Sequence, residues 1–201
     1  MPKGTLFKEQ IKSLIDSKEL FLYPILDENQ IGDISIDLRV GTDFLFQHQG
    51  RSAHINTSSN EVSSRSIKSN FTQARRKVGE KFLLHPFQPT LFSTLEYIKL
   101  PKDVYAVLSL RSSYSRLGLT ISTIVQPGYC GCISVEVINC GNIPIEIVSG
   151  VRFLQVRLIK VDSVDLDYFS NIRKYACQVR PIPSKANEDI ELKFLNNLHT
   201  T

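Results

Sequence analysis

Short apolar segments separated by proline or glycine recur along most of the chain, and they constrain the fold more than any other feature. In residues 34–40 isoleucine, leucine and valine alternate with polar residues, which places Ile34, Ile36, Leu38 and Val40 on one face of a strand that Gly41 is expected to close. Similar segments lie at 20–23, 81–85, 90–95, 105–110, 133–138, 143–148 and 151–161. Because proline is excluded from central strands and glycine favours turns, this pattern predicts an all-β sandwich or barrel.

The remaining segments frame this β region. Residues 5–17 carry apolar side chains at a helical repeat after Thr5, a possible N-cap, and predict a short amphipathic helix. Residues 50–81 are rich in serine, asparagine, arginine and lysine, which predicts a long surface excursion that can include a weak helix. We expect a single domain over 1–201, with an N-terminal helix and lead-in at 1–24 and an irregular tail at 162–201. Within the tail, an apolar patch at 190–198 predicts a helix packed on the domain.

Charge and hydropathy exclude several classes of protein. The net charge is +4, and the basic residues are dispersed apart from Arg75-Arg76-Lys77, so a nucleic-acid partner is not expected. The surplus of positive charge is consistent with binding of a small polyanion such as a nucleotide triphosphate, and equally with an ordinary solvated surface. We expect no membrane partner and a cytoplasmic protein, since no segment has the apolar length of a span and the first residues lack a signal-peptide core.

The four cysteines, at 130, 132, 140 and 177, do not suggest a disulfide framework in a chain of 201 residues. Cys130 and Cys132 have one residue between them, which is not the usual zinc spacing, and the chain lacks the His-x-Glu and Pro-Cys-x-x-Cys motifs of zinc-dependent deaminases. We therefore predict no zinc, and expect Cys130 and Cys132 to be small buried strand residues.

One stretch carries the residues best suited to chemistry. Arg111 and Arg116 bracket Ser112 and Ser113, and guanidinium and hydroxyl groups suit phosphate oxygens. Downstream, Glu136 interrupts an otherwise apolar strand, where a carboxylate is costly unless it is paired or has a shifted pKa. The residues alone leave two interpretations open, a functional acid or a surface turn with a structural Arg116–Glu136 ion pair.

The order of the motifs resembles the dCTP deaminase and dUTPase superfamily of homotrimeric all-β nucleotide enzymes. The resemblance covers most of the chain. It is carried by Ile-Asp-Leu-Arg at 36–39 with Gly41, Leu-His-Pro at 84–86, Thr-Leu-Glu at 94–96, Leu-Pro at 100–101, Arg-Ser-Ser at 111–113 with 116–119, Pro-Gly-Tyr at 127–129 with Gly131, Glu136 with Asn139, Gly150 with Gln155, Lys-Tyr-Ala-Cys-Gln at 174–178, and Ser-Lys at 184–185. The second arginine, the acid in Val-Glu-Val and the Lys-Tyr-x-x-Gln tail are the deaminase versions of these motifs.

This resemblance implies a fold, an assembly and a reaction. It implies a distorted jelly-roll or β-clip barrel of the dUTPase type, assembled as a homotrimer or a dimer of trimers, that converts dCTP to dUTP and ammonia without zinc. Glu136 would be the general acid and base in a dry pocket that raises its pKa, and Mg²⁺ would be bound through the triphosphate. By the same resemblance, Arg116 and Ser112 would orient the water, Glu136 or the base. The expected substrate-binding residues are Arg111, Ser113, Gln126, Ser134, Val135, Tyr168, Lys174 and Gln178, and the tail at 162–201 would close over the site.

Two departures from the superfamily pattern keep alternatives open. Gln126 stands where relatives have an aspartate before Pro-Gly, and an amide cannot act as a base at neutral pH. Residues 120–125 are also a few residues shorter than the hairpin that holds the pyrimidine in relatives. A catalytically inactive member that binds a nucleotide or another protein is therefore the main alternative. A dUTP diphosphatase, alone or within a bifunctional enzyme, is disfavoured by Gln126.

Overall fold

The computed structural model describes residues 4–48, 54–57, 67–162, 168 and 173–198. Three α-helices occur in this part of the chain, α1 (Lys8–Asp16), α2 (Ser112–Ser115) and α3 (Ile190–Leu198). The strands there are β1 (Gly4–Thr5), β2 (Phe21–Tyr23), β3 (Ile36–Gln47), β4 (Phe71–Arg75), β5 (Lys81–Leu84), β6 (Thr90–Lys99), β7 (Val104–Leu110), β8 (Leu119–Thr120), β9 (Thr123–Val125), β10 (Cys130–Asn139), β11 (Ile145–Val148) and β12 (Arg152–Lys160). Short 3-10 turns lie at Glu28–Gln30, Ile67–Asn70 and Ala186–Glu188.

The strands form one large curled antiparallel sheet and one small sheet. The large sheet has the order β8-β10-β6-β3-β12-β7-β9, with β1 added to β12, β2 to β6 and β4 to β3. The small sheet pairs β5 with β11. The prediction of an all-β fold with a short N-terminal helix is confirmed, and most predicted strands are present within a few residues of their expected bounds.

The core lies on one side of the large sheet. Ile36, Leu38 and Val40 of β3 are fully buried, as their alternation predicts, and the rings of Phe92 and Phe153 meet edge to face at 5.6 Å. Helix α1 adds Ile11 and Leu14 to the same cluster. Burial of each such side chain stabilises the fold by about 1.5–3 kcal/mol. Because β6 and β10 both contribute side chains to this core, their positions are fixed by it.

Two expectations about β3 are wrong. Ile34 is 55% exposed, because the strand begins only at Ile36. Gly41 does not close the strand, which continues to Gln47. A Cβ at Gly41 would lie 2.4 Å from the carbonyl oxygen of Ser93, so the glycine lets β3 pass close to β6 where their register shifts.

Other local predictions also need correction. Thr5 belongs to β1, and α1 is instead capped at Phe7, whose N–H donates to the side chain of Gln10 at 3.1 Å. The predicted excursion at 50–81 contains β4, which pairs with β3; residues 50–53 and 58–66 lie outside the described residues.

The helix predicted at 190–198 exists as α3, but it is not packed on the domain in the way expected. Its apolar residues Ile190, Phe194 and Leu198 are 72%, 64% and 56% exposed. Within the described residues, no helix is long and apolar enough to cross a membrane.

Candidate active site

Strand β10 presents Glu136 on the face of the sheet opposite the core. Val135 and Val137 are fully buried, so the intervening Glu136 points the other way, as does the half-buried Ser134. The pairing of β10 with β6 shifts register between Cys132 and Ser134, and there the Ile133 N–H donates to Thr94 Oγ1 at 2.9 Å. This bulge sets which residues of the second half of β10 face outward.

A cavity of about 510 Å³ lies against this outward face. Glu136, Ser134, Gln126 and Tyr168 all line it, so the structure brings four of the sequence-predicted residues together. The other residues that line it are Phe71, Pro89, Leu91, Thr123, Ile124, Val125, Tyr129, Tyr175, Ile182 and Ser184. Val135 was also predicted to bind substrate, but its buried side chain faces the core, so only its main chain could do so.

Glu136 combines a raised pKa with an exposed side chain. Protein atoms around the carboxyl group remove part of its hydration, and this desolvation raises the pKa above the ordinary glutamate value, against a main-chain hydrogen bond that lowers it. Within one chain, however, the residue is exposed rather than enclosed in a dry pocket. Among the described residues no ion pair joins Glu136 to Arg116, so the structural ion-pair interpretation is not supported.

The predicted arginine and serine residues lie elsewhere on the same chain. They flank or form α2, which follows β7 and is fixed by the Tyr114 ring against Phe153 at 4.5 Å. Ser112, Ser113 and Arg116 are exposed. Among the described residues that line the Glu136 cavity, none comes from 111–116.

Arg111 is held by Asp37, a half-buried acid of β3. Its Nε lies 3.6 Å from Asp37 Oδ2, and Arg152 Nη1 lies 3.8 Å from the same oxygen. The main-chain N–H of Arg111 also donates to the Phe153 carbonyl at 3.0 Å. Asp37 was not predicted as a site residue, and its half-buried place between two guanidinium groups depends on contacts between distant strands.

Tyr168 forms part of the cavity wall. It is 7% exposed, its ring meets Tyr129 edge to face at 6.1 Å, and the Arg173 guanidinium lies 5.0 Å from its ring centre. Desolvation by burial raises the pKa of its phenol, so the hydroxyl is a neutral hydrogen-bonding group at physiological pH.

The C-terminal tail reaches the start of β10 and continues along the cavity. Cys177 N–H donates to the Cys130 carbonyl at 2.9 Å, and Cys132 N–H donates to the Gln178 carbonyl at 2.7 Å. Further along, Arg180 Nε lies 3.7 Å from Asp43 Oδ1 of β3. These contacts bring Tyr175 and Ser184 to the cavity, and no periodicity in the polar tail indicated their position.

Lys174 and Gln178, both predicted to bind substrate, make contacts within the protein. Lys174 Nζ donates to the Lys185 carbonyl at 3.0 Å and forms an ion pair with Asp189. The side-chain oxygen of Gln178 is buried without a hydrogen-bond partner in the described part of the chain. The Lys174 ammonium would have to exchange its carboxylate partner for a phosphate in order to bind a nucleotide.

Across the described residues, no three His, Cys, Asp or Glu side chains converge to hold a metal ion. Cys130 and Cys132 are buried strand residues, as expected. No protein ligands for Mg²⁺ can therefore be assigned within this part of the chain.

The structure is that of a mostly β protein, with a carboxylate at a cavity beside a docked tail. The comparisons then define the family. Residues 5–161 match the family model described as dCTP deaminase-like, and the chain belongs to that family.

Two relatives agree with this assignment, and one solved structure shares the fold. The chain is 33% identical over 195 residues to a dUMP-forming dCTP deaminase of Dictyoglomus turgidum, covering 94% of this chain and 97% of the relative. It is 31% identical over 194 residues to a dUMP-forming dCTP deaminase of Methanobrevibacter smithii, covering 94% and 98%. The fold resembles the crystal structure of 2′-deoxycytidine 5′-triphosphate deaminase from Agrobacterium tumefaciens, with a TM-score of 0.60 and 22% identity over 80% of this chain and 49% of that one.

Proposed function

We propose that this protein is a dCTP deaminase that uses Glu136 as its general acid and base. The observation that carries the proposal is the single carboxylate of β10, which faces the cavity and has a raised pKa. The relatives of over 30% identity cited above are named for dCTP deamination. A carboxyl group with a pKa nearer neutrality can both accept and return a proton in one catalytic cycle.

The proposed reaction needs two proton transfers through this carboxylate. Glu136 takes a proton from a water molecule as its oxygen adds to C4 of the cytosine ring. The protonated acid then gives that proton to the amino group, the C4–N bond breaks and ammonia leaves. The second proton of the water passes from the C4 hydroxyl to N3, so C4 keeps the oxygen as a carbonyl. Ser112 and Arg116 are proposed to orient the water, the acid or the base.

The triphosphate and sugar are assigned to residues around the cavity, the tail and α2. Arg111, Ser113, Tyr168, Lys174 and Gln178 are proposed to bind the phosphates, and they supply the guanidinium, hydroxyl, ammonium and amide donors that phosphate oxygens require. Gln126, exposed at the cavity, is proposed to hydrogen-bond the deoxyribose, and Ser134 with the main chain of Val135 to contact the base. Mg²⁺ is proposed to be held by the triphosphate oxygens, and no step of the reaction is assigned to it.

A second copy of the chain is needed to complete this site. Glu136 lines the cavity, whereas Ser112 and Arg116 lie exposed around α2 and do not line it. We propose that the chain assembles as a homotrimer, alone or as two stacked trimers, in which α2 of one copy meets the cavity of its neighbour. Such a contact would also cover the exposed carboxylate of Glu136 and exclude water from it.

The nucleotide product of the proposed deamination is either dUTP or dUMP. We propose dUTP, because Gln126 cannot act as the base that a diphosphatase needs at this position. The specific observation that favours a second candidate, direct formation of dUMP, is that both relatives cited above are named dUMP-forming.

Incubation of the purified protein with dCTP and Mg²⁺ tests the proposal, with ammonia measured enzymatically and nucleotides separated by anion exchange. Ammonia with dUTP is the expected result; ammonia with dUMP and pyrophosphate would instead support the second candidate. Glu136→Gln is expected to lower ammonia release by about 10²–10⁴-fold, since general acid–base catalysis contributes on that order. Glu146→Gln is the matched control, because Glu146 is an exposed carboxylate of β11 paired with Lys81 at 2.8 Å.

Ammonia release that survives Glu136→Gln would contradict the assignment of that residue. If the unchanged protein releases no ammonia but dCTP raises its thermal unfolding midpoint, the protein is a non-catalytic nucleotide binder, since a ligand that favours the native state raises its stability.

A further inference from the structure

Two thiols face each other where the tail meets β10. Cys130 Sγ lies 2.8 Å from Cys177 Sγ, although the residues are 47 positions apart in the chain. Their main chains are joined by the hydrogen bond from Cys177 N–H to the Cys130 carbonyl. The two side chains are therefore held together by a main-chain contact that does not depend on the sulfur atoms.

The same contact anchors the tail beside the Glu136 cavity. Next to it, Cys132 N–H donates to the Gln178 carbonyl, and Gly131 leaves room for the Gln178 main chain. On one side of the contact the tail carries Tyr175, which lines the cavity. A covalent bond at this point would fix the segment that forms one wall of the site.

The four cysteines differ in what a solution reagent can reach. Cys177 is exposed and Cys130 is buried beneath it, whereas Cys140 is exposed on another part of the chain. Cys132 is buried, and desolvation raises the pKa of its thiol to about 11, so it carries little of the reactive thiolate. An accessible thiol directly over a second thiol is the arrangement that a dithiol needs in order to close.

We propose that Cys130 and Cys177 form a reversible thiol-oxidation site whose oxidant is a low-molecular-weight disulfide. The Cys177 thiolate attacks one sulfur of the oxidant, which releases one thiolate and leaves a mixed disulfide on Cys177. The Cys130 thiolate then attacks Cys177 Sγ, displaces the second small thiol and forms the Cys130–Cys177 bond. The two protein thiols are oxidised by two electrons in total, and the small disulfide is reduced to two thiols that take up the two protons.

Oxidation is expected to hold residues 175–178 on β10 and to slow turnover. Nucleotide entry and product release require movement of the segment that covers a site, and a tether prevents that movement. This consequence for turnover rests on the proposed deaminase function, whereas formation of the bond does not.

The first experiment tests the bond itself. The full-length protein is incubated with glutathione disulfide at pH 8, remaining thiols are alkylated, and the tryptic peptides are identified by mass spectrometry. A peptide pair joined through Cys130 and Cys177, absent after dithiothreitol, is the expected product. It should persist in Cys140→Ser, the matched exposed-cysteine control, and be lost in Cys177→Ser and in Cys130→Ser. Glutathione adducts on Cys177 or Cys140 without the joined pair would overturn the proposal.

Raised pH should accelerate the reaction. The hydrogen bond with Cys130 and partial burial raise the pKa of the Cys177 thiol, so its thiolate fraction still increases above pH 8. A rate of bond formation that does not change between pH 7 and pH 9 would contradict attack by Cys177.

The second experiment measures what the bond does. Oxidation is expected to raise the thermal unfolding midpoint by roughly 5–10 °C, as a cross-link of this loop length constrains the unfolded chain. It should also slow hydrogen exchange at the Cys132 and Cys177 amides and lower the rate of ammonia release at least about fivefold, reversibly. A joined pair with an unchanged ammonia rate would overturn the regulatory consequence. If the reduced protein releases no ammonia, the result counts against the deaminase function. The Cys130–Cys177 bond is still tested independently, by the joined peptides of the first experiment.

Discussion

Glu96 and Glu136 lie on neighbouring strands, β6 and β10, in opposite environments. Glu96 is fully buried and accepts hydrogen bonds from Gln30 Nε2 at 2.8 Å and from the Arg39 main-chain N–H at 2.9 Å. Glu136 is exposed at a cavity and lacks an ion pair among the described residues. The first acid therefore ties the 3-10 turn at Glu28–Gln30 to the sheet, and the second is available for chemistry.

The buried acid predicts a pH dependence of stability. Desolvation, which outweighs the hydrogen bonds and the nearby Arg39, raises the pKa of Glu96 from its ordinary 4.5 to about 7. Between these pH values the unfolded chain has lost the proton while the folded chain keeps it, so the free energy of unfolding should fall as pH rises from 4.5 to 7 and then level off. The full shift corresponds to about 3 kcal/mol as an upper limit.

Glu96→Gln should remove this contribution. In urea unfolding, the difference in the free energy of unfolding between pH 5 and pH 8 is expected to become smaller by about 1–3 kcal/mol, since the amide does not titrate. Glu146→Gln serves as the exposed control and should leave the difference unchanged. An equal difference in Glu96→Gln and the unchanged protein would show that Glu96 titrates alike in the folded and unfolded states.

Sequence reasoning reached some residues of the site and not others. Glu136 was found because an acid inside an apolar strand needs a physical reason, and its cavity contains Gln126, Ser134 and Tyr168 as well. The tail was expected to close over the site, but Tyr175 and Ser184 were not predicted as site residues, because the polar tail carries no periodicity that fixes its path. Their positions depend on hydrogen bonds to β10, which is distant along the chain.

At the scale of elements, the docking of the tail on β10 depends on Gly131. The residue has a φ of +141°, and a Cβ there would lie 2.9 Å from both the Gln178 carbonyl oxygen and the Tyr129 hydroxyl. A side chain at this position would be strained and would push the tail from the strand.

Gly131→Ala should therefore loosen the tail while the sheet stays folded. Loss of main-chain hydrogen bonds worth about 1 kcal/mol each predicts faster hydrogen exchange at the Cys177 amide and faster tryptic cleavage after Lys174, by about tenfold. Gly79→Ala is the control, because Gly79 has a φ of +91° with open space around it. Unchanged exchange at Cys177 in Gly131→Ala would contradict the role given to this glycine.

The strands were more predictable than the segments that join them. Alternation located β3, β7 and most of β10, because one face of each strand is buried in the core. Strand β4 was missed since Phe-Thr-Gln-Ala-Arg lies in a polar stretch and forms by pairing with β3. Helix α3 was located by its apolar patch, but such a patch does not say what the apolar side chains contact.

In the molecule as a whole, the fold places the two parts of the proposed site on separate surfaces of one chain. The cavity with Glu136 is formed by β4, β6, β9, β10 and the tail, whereas Arg116 lies at the end of α2. A ring of identical chains can bring these two surfaces together at each interface, since head-to-tail contacts pair different patches of the same chain. A strict monomer in solution would rule out this arrangement.

Ammonia release from mixed oligomers tests the shared site most directly. Glu136→Gln and Arg116→Ala are each expected to be inactive alone. If they are unfolded and refolded together in equal amounts, about one interface in four should combine an intact Glu136 with an intact Arg116, as random mixing in a symmetric ring requires. We predict recovery of roughly a quarter of the original ammonia rate. Mixed oligomers verified by native mass spectrometry that release no ammonia, while the refolded unchanged protein does, would contradict the account.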